Sequence, residues 1–168
     1  MLICAAEGNL LYALHYANEP SRAHEVGDQF IEDAESAGVV AITGTLLAVS
    51  AVLALNGKAS EAVPHLARAL PLALAAGTTG HVLEGVWVAA ALAAQRGRFE
   101  EAATLLAGAA RHANPLGMTG LALYRDCQEQ ARRAMLGSGQ SLEHAGLRSR
   151  SLTLDELVGL ALAVPGGT

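Results

Sequence analysis

At 168 residues the chain has the length of one domain, enough to bury about two-thirds of the surface that its unfolded form exposes. Hydrophobic residues make up 52% and aromatic residues only 4%, so Ala and Leu carry the packing; both favour helix, whereas a sheet needs more β-branched and aromatic side chains. A formal net charge of −5, with no cationic cluster beyond Arg132-Arg133, argues against a nucleic-acid face, and Cys4 and Cys127 lack the spacing of a metal site or a disulfide framework, which fits a reducing cytosol.

The first stretch has no cationic start, and Glu7 interrupts its apolar run, so it does not read as a signal peptide. It forms a faint first repeat unit over residues 1–38, with Asn18 at the turn and Ala23 at a small-residue position. Within it, His24-Glu25-Val26-Gly27-Asp28 has a metal-protease outline, but Asp28 stands where a second histidine is needed. A solvated helix face explains it better, and no metal ligand is assigned.

From Ser36 to Asn56 no residue is charged. That length permits a membrane span. Gly38, Thr43, Gly44, Thr45, Ser50 and Asn56 dilute the run, and no aromatic belt or basic flank anchors it. The expectation is a buried repeat helix and no membrane contact.

The next two units, about 39–77 and 80–116, match each other. Leu55-Asn56-Gly57-Lys58-Ala59-Ser60-Glu61-Ala62 aligns with Gln95-Arg96-Gly97-Arg98-Phe99-Glu100-Glu101-Ala102 at an offset of 40 residues, and Leu66 falls on Leu106. Glycine just past a helix adopts positive φ without strain. A small residue beyond it lets the returning helix approach closely, and the leucine one turn on fills the seam. Gly38, Gly57, Gly77, Gly97, Gly117 and Gly137 each close an apolar-periodic stretch. Pro64 fits a first turn, but Pro71 falls mid-helix; a kink is expected there, since the apolar run continues to Ala76. Trp87 reads as a core anchor between units.

Two terminal helices follow, over 118–137 and 140–163. Gly120, Tyr124, Cys127, Ala131 and Met135 form one apolar stripe, with Arg125, Asp126, Glu129, Arg132 and Arg133 opposite. Gly137-Ser138-Gly139-Gln140-Ser141 lacks the GxSxG pattern of a serine nucleophile and reads as a joint. A short helix is expected around Leu142–Leu147. Thr153-Leu154-Asp155-Glu156 is a capping box, and residues 164–168 read as a linker or tail. His65, His81 and His112 are read as surface histidines. The acidic pairs Glu100/Glu101 and Asp155/Glu156 suit helix N-termini.

The expected fold is therefore all-α: a TPR-like right-handed array of antiparallel helical hairpins, or α-α superhelix, over residues 1–163. Residues Gly97-Arg98-Phe99-Glu100-Glu101-Ala102-Ala103-Thr104-Leu105-Leu106-Ala107-Gly108-Ala109-Ala110 resemble the final repeat of the large bacterial LuxR-type transcriptional regulators. Those have a signal-transduction ATPase core, and some relatives carry an adenylate/guanylate cyclase domain. Arg150-Ser151-Leu152-Thr153-Leu154-Asp155-Glu156-Leu157 resembles the short helix that ends their TPR-like region. The resemblance spans roughly 40–163 and is best over 97–163.

The resemblance implies a cytoplasmic segment of a larger regulator. No phosphate-binding GxxxxGK[ST] loop occurs, and no helix-turn-helix follows Ala163, so neither ATPase nor DNA-binding activity transfers to a residue here. The expected function is a non-catalytic module for protein–protein interaction or regulation, with no catalytic, cofactor or metal residues. Its partner would be a protein or peptide held on a concave face, or neighbouring domains of the same polypeptide. The alternatives are a sensor with a small-molecule inducer in an Ala/Gly-lined cleft, a free-standing scaffold, or a homo-oligomer formed through unpaired terminal repeats.

Overall fold

A computed structural model describes residues 2–117, 121–138 and 147–164, with side chains described except at 2–7, 20, 24 and 138. They include the α-helices α1 (Leu2–Tyr16), α2 (Pro20–Ala37), α3 (Val39–Leu55), α4 (Ala59–Ala75), α5 (Thr79–Gln95), α6 (Phe99–Ala113), α7 (Ala122–Ser138) and α8 (Leu154–Ala163), with a 3-10 turn at Asn114–Leu116 after α6. There is no strand among the described residues.

The turns form as the glycine spacing predicts. Gly57 and Gly97 take φ 74° and 73°. At the first, the Gly57 N–H donates to Ala54 O and the Lys58 N–H to Leu53 O; Gly97 and Arg98 repeat the pair on Ala94 and Ala93. These bonds satisfy carbonyls that the helix end would leave open. Asn18, with φ 57°, closes α1 in the same way. Past the turns, Ala23, Ala62 and Ala102 are all buried, as are Leu66 and Leu106. Buried Ser50 of α3 donates to Ala62 O at 2.9 Å, so the two backbones of that hairpin meet closely.

One local expectation changes. Gly137 does not close a helix: α7 runs through it to Ser138. Past Pro71 the chain stays helical, as the apolar run predicts: α4 is continuous from Ala59 to Ala75. Pro71 deprives the Ala67 carbonyl of its helical donor, but Ala67 and Pro71 both lie on the exposed face, where water serves that carbonyl. The short helix expected at Leu142–Leu147 lies almost wholly outside the described residues.

The odd-numbered helices gather inside. α1 packs on α3, α3 on α5, α5 on α7, and α3 also reaches α7. Gln95 Nε2 ties three of them, donating to Ala54 O at 2.5 Å and Gln130 Oε1 at 3.1 Å. The hydroxyls of Tyr12 and Tyr16 on α1 donate to Asp126 Oδ2 on α7. As a result α3 is buried from Ile42 to Ala54 apart from Gly44, and α5 from Val82 to Ala94 apart from Glu84. A helix apolar on every side belongs in a core, which accounts for the uncharged run from Ser36 to Asn56. Among the described residues no helix is long and apolar enough to cross a membrane. An open superhelix leaves one side of such helices along a concave groove; here that side is closed.

The even helices lie outside. α2 covers α1 and α3, α4 covers α3 and α5, and α6 covers α5 and α7. α8 breaks this order, packing on α4, α5 and α6. Its Leu157, fully buried, fills the space beside Gly108 of α6. Both its ends are tied down. The Thr153 side chain accepts from the Glu156 N–H while Glu156 accepts from the Thr153 N–H at 2.7 Å, completing the expected capping box. At the other end Arg96 donates to Val164 O at 2.7 Å and Arg98 donates to the same oxygen at 2.9 Å. Two guanidiniums thus meet carbonyls at the negative end of the helix dipole.

Candidate interaction site

Among the described residues, α5, α6 and α7 meet at a surface that is partly open. A cleft of about 430 Å³ lies there. Trp87 of α5 forms its floor, Ala110, Ala113 and Asn114 of α6 one wall, and Arg125, Asp126, Gln128, Glu129 and Arg132 of α7 the other. Residues 125, 128, 129 and 132 follow the helical i, i+3, i+4, i+7 pattern, so one face of α7 supplies the polar wall. The alanines keep the opposite wall low. Trp87 is only 3% exposed: it is the core anchor expected from the sequence, and its edge also reaches the cleft.

The charges in the cleft are unevenly satisfied. Asp126 accepts from two tyrosine hydroxyls, and that bond holds the Tyr16 phenol well above its ordinary range. Glu129 pairs with Arg133 at 2.8 Å. Among the described residues Arg132 reaches the neutral Gln128 amide, at 3.3 Å, and no carboxylate. Arg125 has no ion-pair partner among the described residues. Among the described residues both carboxylates have partners and neither Arg125 nor Arg132 has a carboxylate, so the cleft's uncompensated charge there is cationic.

A second set of titratable groups lies deeper, on α5 and α7. Burial raises the Glu84 carboxyl to about 7. Burial, with Glu84 nearby, pushes the Tyr124 phenol up, and burial does the same to the Cys127 thiol. Burial lowers His81; its Nδ1 has no hydrogen-bond partner among the described residues, and its Nε2 sits 3.5 Å from the position of a Cβ at Gly44. Glu84 and His81 do not line the cleft.

Of the other candidates, Asp28 is exposed and takes part in an interaction, while the His24 side chain is outside the described residues. No group of three or more metal-ligating side chains occurs among the described residues. His65, His81 and His112 are half-buried rather than fully on the surface; His112 Nε2 lies 3.2 Å from Leu152 O at the start of the α8 segment. Glu101 pairs with Arg98 across the first turn of α6. The joint at 139–141 is outside the described residues.

Sequence reasoning missed the Tyr12/Tyr16–Asp126 contact and the return of α8. The second left a signal: Gly108 sits mid-helix in an Ala-rich stretch, and an isolated helical glycine often marks a close approach. No family model, curated protein or solved structure matches the chain.

Proposed function

We propose that this chain is a non-catalytic protein-interaction or regulatory module: the helical-repeat segment of a larger LuxR-type ATPase transcriptional regulator of the bacterial cytoplasm. The observation that carries the interaction reading is the α6–α7 cleft, which Trp87, Arg125 and Arg132 line and where neither guanidinium has a carboxylate partner among the described residues. A guanidinium fork is suited to carboxylate recognition, so the natural occupant is an acidic segment of a partner or of a neighbouring domain. The regulator reading rests on the resemblance over 97–110 and 150–157. The inner helices pack against one another, which supports an outer surface over a concave inner face for the partner.

A small-molecule sensor is the second reading. A cleft of about 430 Å³ with one aromatic floor and convergent charges has the size of a ligand site. The neighbouring coding sequence tests the regulator reading: an upstream GxxxxGK[ST] motif or a downstream helix-turn-helix supports it, and the absence of both overturns it. Capture of the adjacent domain by the chain, lost on Arg125→Glu/Arg132→Glu, tests the interaction reading. Stabilisation of the isolated chain by a small aromatic carboxylate, without such capture, favours the sensor.

A further inference from the structure

The charge of this chain is segregated. Residues 19–35 hold six carboxylates and one arginine, while everywhere else ten carboxylates match ten cations. The whole formal charge of −5 therefore resides on α2 and its N-cap. Within α2, Glu35 pairs with Arg68 at 2.7 Å, and Asp33 accepts from Gln29. Glu25 and Glu32 are exposed and form no ion pair among the described residues.

Exposed apolar side chains are segregated too. Among the described residues, every large one lies within 10–40 or 116–147. Leu10, Val39 and Val40 lie at the first end, and Leu116, Leu121 and Leu136 at the last. Single exposed leucines are ordinary, but here, among the described residues, the large ones are confined to these two stretches.

The two ends are also complementary in spacing. Arg125 and Arg132 are seven residues apart on α7, and Glu25 and Glu32 are seven apart on α2. Two turns of helix separate each pair by about 10.5 Å, so one helix laid along the other brings both pairs together.

We propose that the chain associates head to tail: the acidic face of α2 of one copy docks into the α6–α7 cleft of the next, pairing Glu25 and Glu32 with Arg125 and Arg132. The surfaces differ, so the contact is heterologous, and a growing chain keeps one free surface of each kind at its ends. The product is an open chain whose length rises with concentration, or a ring of fixed size where the rotation closes. Exposed ion pairs contribute little singly and are screened by salt, so assembly weakens as ionic strength rises.

Sedimentation velocity on the full chain tests this, with concentration series at low and high ionic strength. The wild type should show a weight-average sedimentation coefficient that climbs with concentration at low salt and less steeply at high salt. Glu25→Arg/Glu32→Arg should lose that climb, and so should Arg125→Glu/Arg132→Glu. The variant carrying all four changes should regain it, as should an equimolar mixture of the two double variants. All four positions are solvent-exposed, and unchanged far-UV circular dichroism checks that each variant folds. A wild type that stays monomeric throughout overturns the proposal, as does assembly that survives either double variant or is not restored by the fourfold exchange. A monomeric wild type leaves the acidic-partner reading standing, since capture of the adjacent domain reads that separately.

Discussion

Leu157 occupies the space that Gly108 leaves empty. A Cβ on Gly108 would lie 3.1 Å from Leu157 Cδ1 and closer still to Cδ2, and Leu157 has no exposed surface into which to retreat. The helix after the last full hairpin is seated by this one missing side chain. Alanine favours helix over glycine by about 1 kcal/mol, but overpacking a filled core costs about 1–3 kcal/mol. Gly108→Ala should therefore lower the thermal midpoint despite its better propensity. Adding Leu157→Ala to it should recover part of the loss, which thermal circular dichroism would read as non-additivity. A midpoint equal to or above wild type for Gly108→Ala alone would show that α8 does not dock in this way.

Arg96 and Arg98 hold the other end of α8 through the Val164 carbonyl. A hydrogen bond from a charged donor contributes about 1.5–3 kcal/mol at best, less at a partly exposed site. Arg96→Ala should leave global unfolding nearly unchanged while amide exchange over Leu157–Ala163 speeds several-fold relative to α3 and α5. Uniform acceleration across the chain would contradict a local clamp.

Glu84 should make stability depend on pH. Its carboxyl ordinarily titrates near 4.5 and is raised to about 7 in the folded chain. Between those values the native state binds the proton that the unfolded state has released, so stability falls as pH rises through that window. The effect is fully present as stabilisation below about 4.5 and lost above about 7. His81, whose affinity for protons is lowered by burial, works in the opposite direction. Comparing Glu84→Gln with wild type isolates the carboxylate: the difference in thermal midpoint should favour the Gln variant at pH 8 and shrink toward zero at pH 4. A difference independent of pH would place Glu84 in water.

Trp87 is the sole tryptophan, and its near-complete burial should give a blue-shifted emission that red-shifts on unfolding. Trp87→Ala removes the cleft floor and leaves a cavity, a change that costs about 3–5 kcal/mol. Trp87→Phe should retain most of the stability. Chemical denaturation followed by circular dichroism distinguishes the two; equal losses for both would mean that the ring's size does not matter there.

The hairpins were legible because their signals are local. A turn glycine at Gly57 or Gly97, a small residue at Ala62 or Ala102 and a leucine at 66 or 106 act on neighbours within one helical pair. The uncharged stretch of α3 was legible as buried, although its position at the centre of a closed bundle was not. What escaped is set by long-range pairing. Tyr12 and Tyr16 meet Asp126 more than a hundred residues away, and nothing in either segment names the other. The seat of α8 depends on Gly108, whose meaning appears only once Leu157 is beside it. The cleft takes its lining from three helices, α5, α6 and α7, and a periodic pattern within one helix cannot record how they meet.

The bond from Tyr12 and Tyr16 to Asp126 makes the first helix a neighbour of the seventh. Solenoids gain or lose units readily because each unit answers only to the next one along. Here a duplicated or deleted forty-residue hairpin would carry one partner of that contact out of the other's reach. The number of hairpins is thereby pinned by tertiary structure, and melting should proceed as a single cooperative event instead of unravelling unit by unit from a weak end.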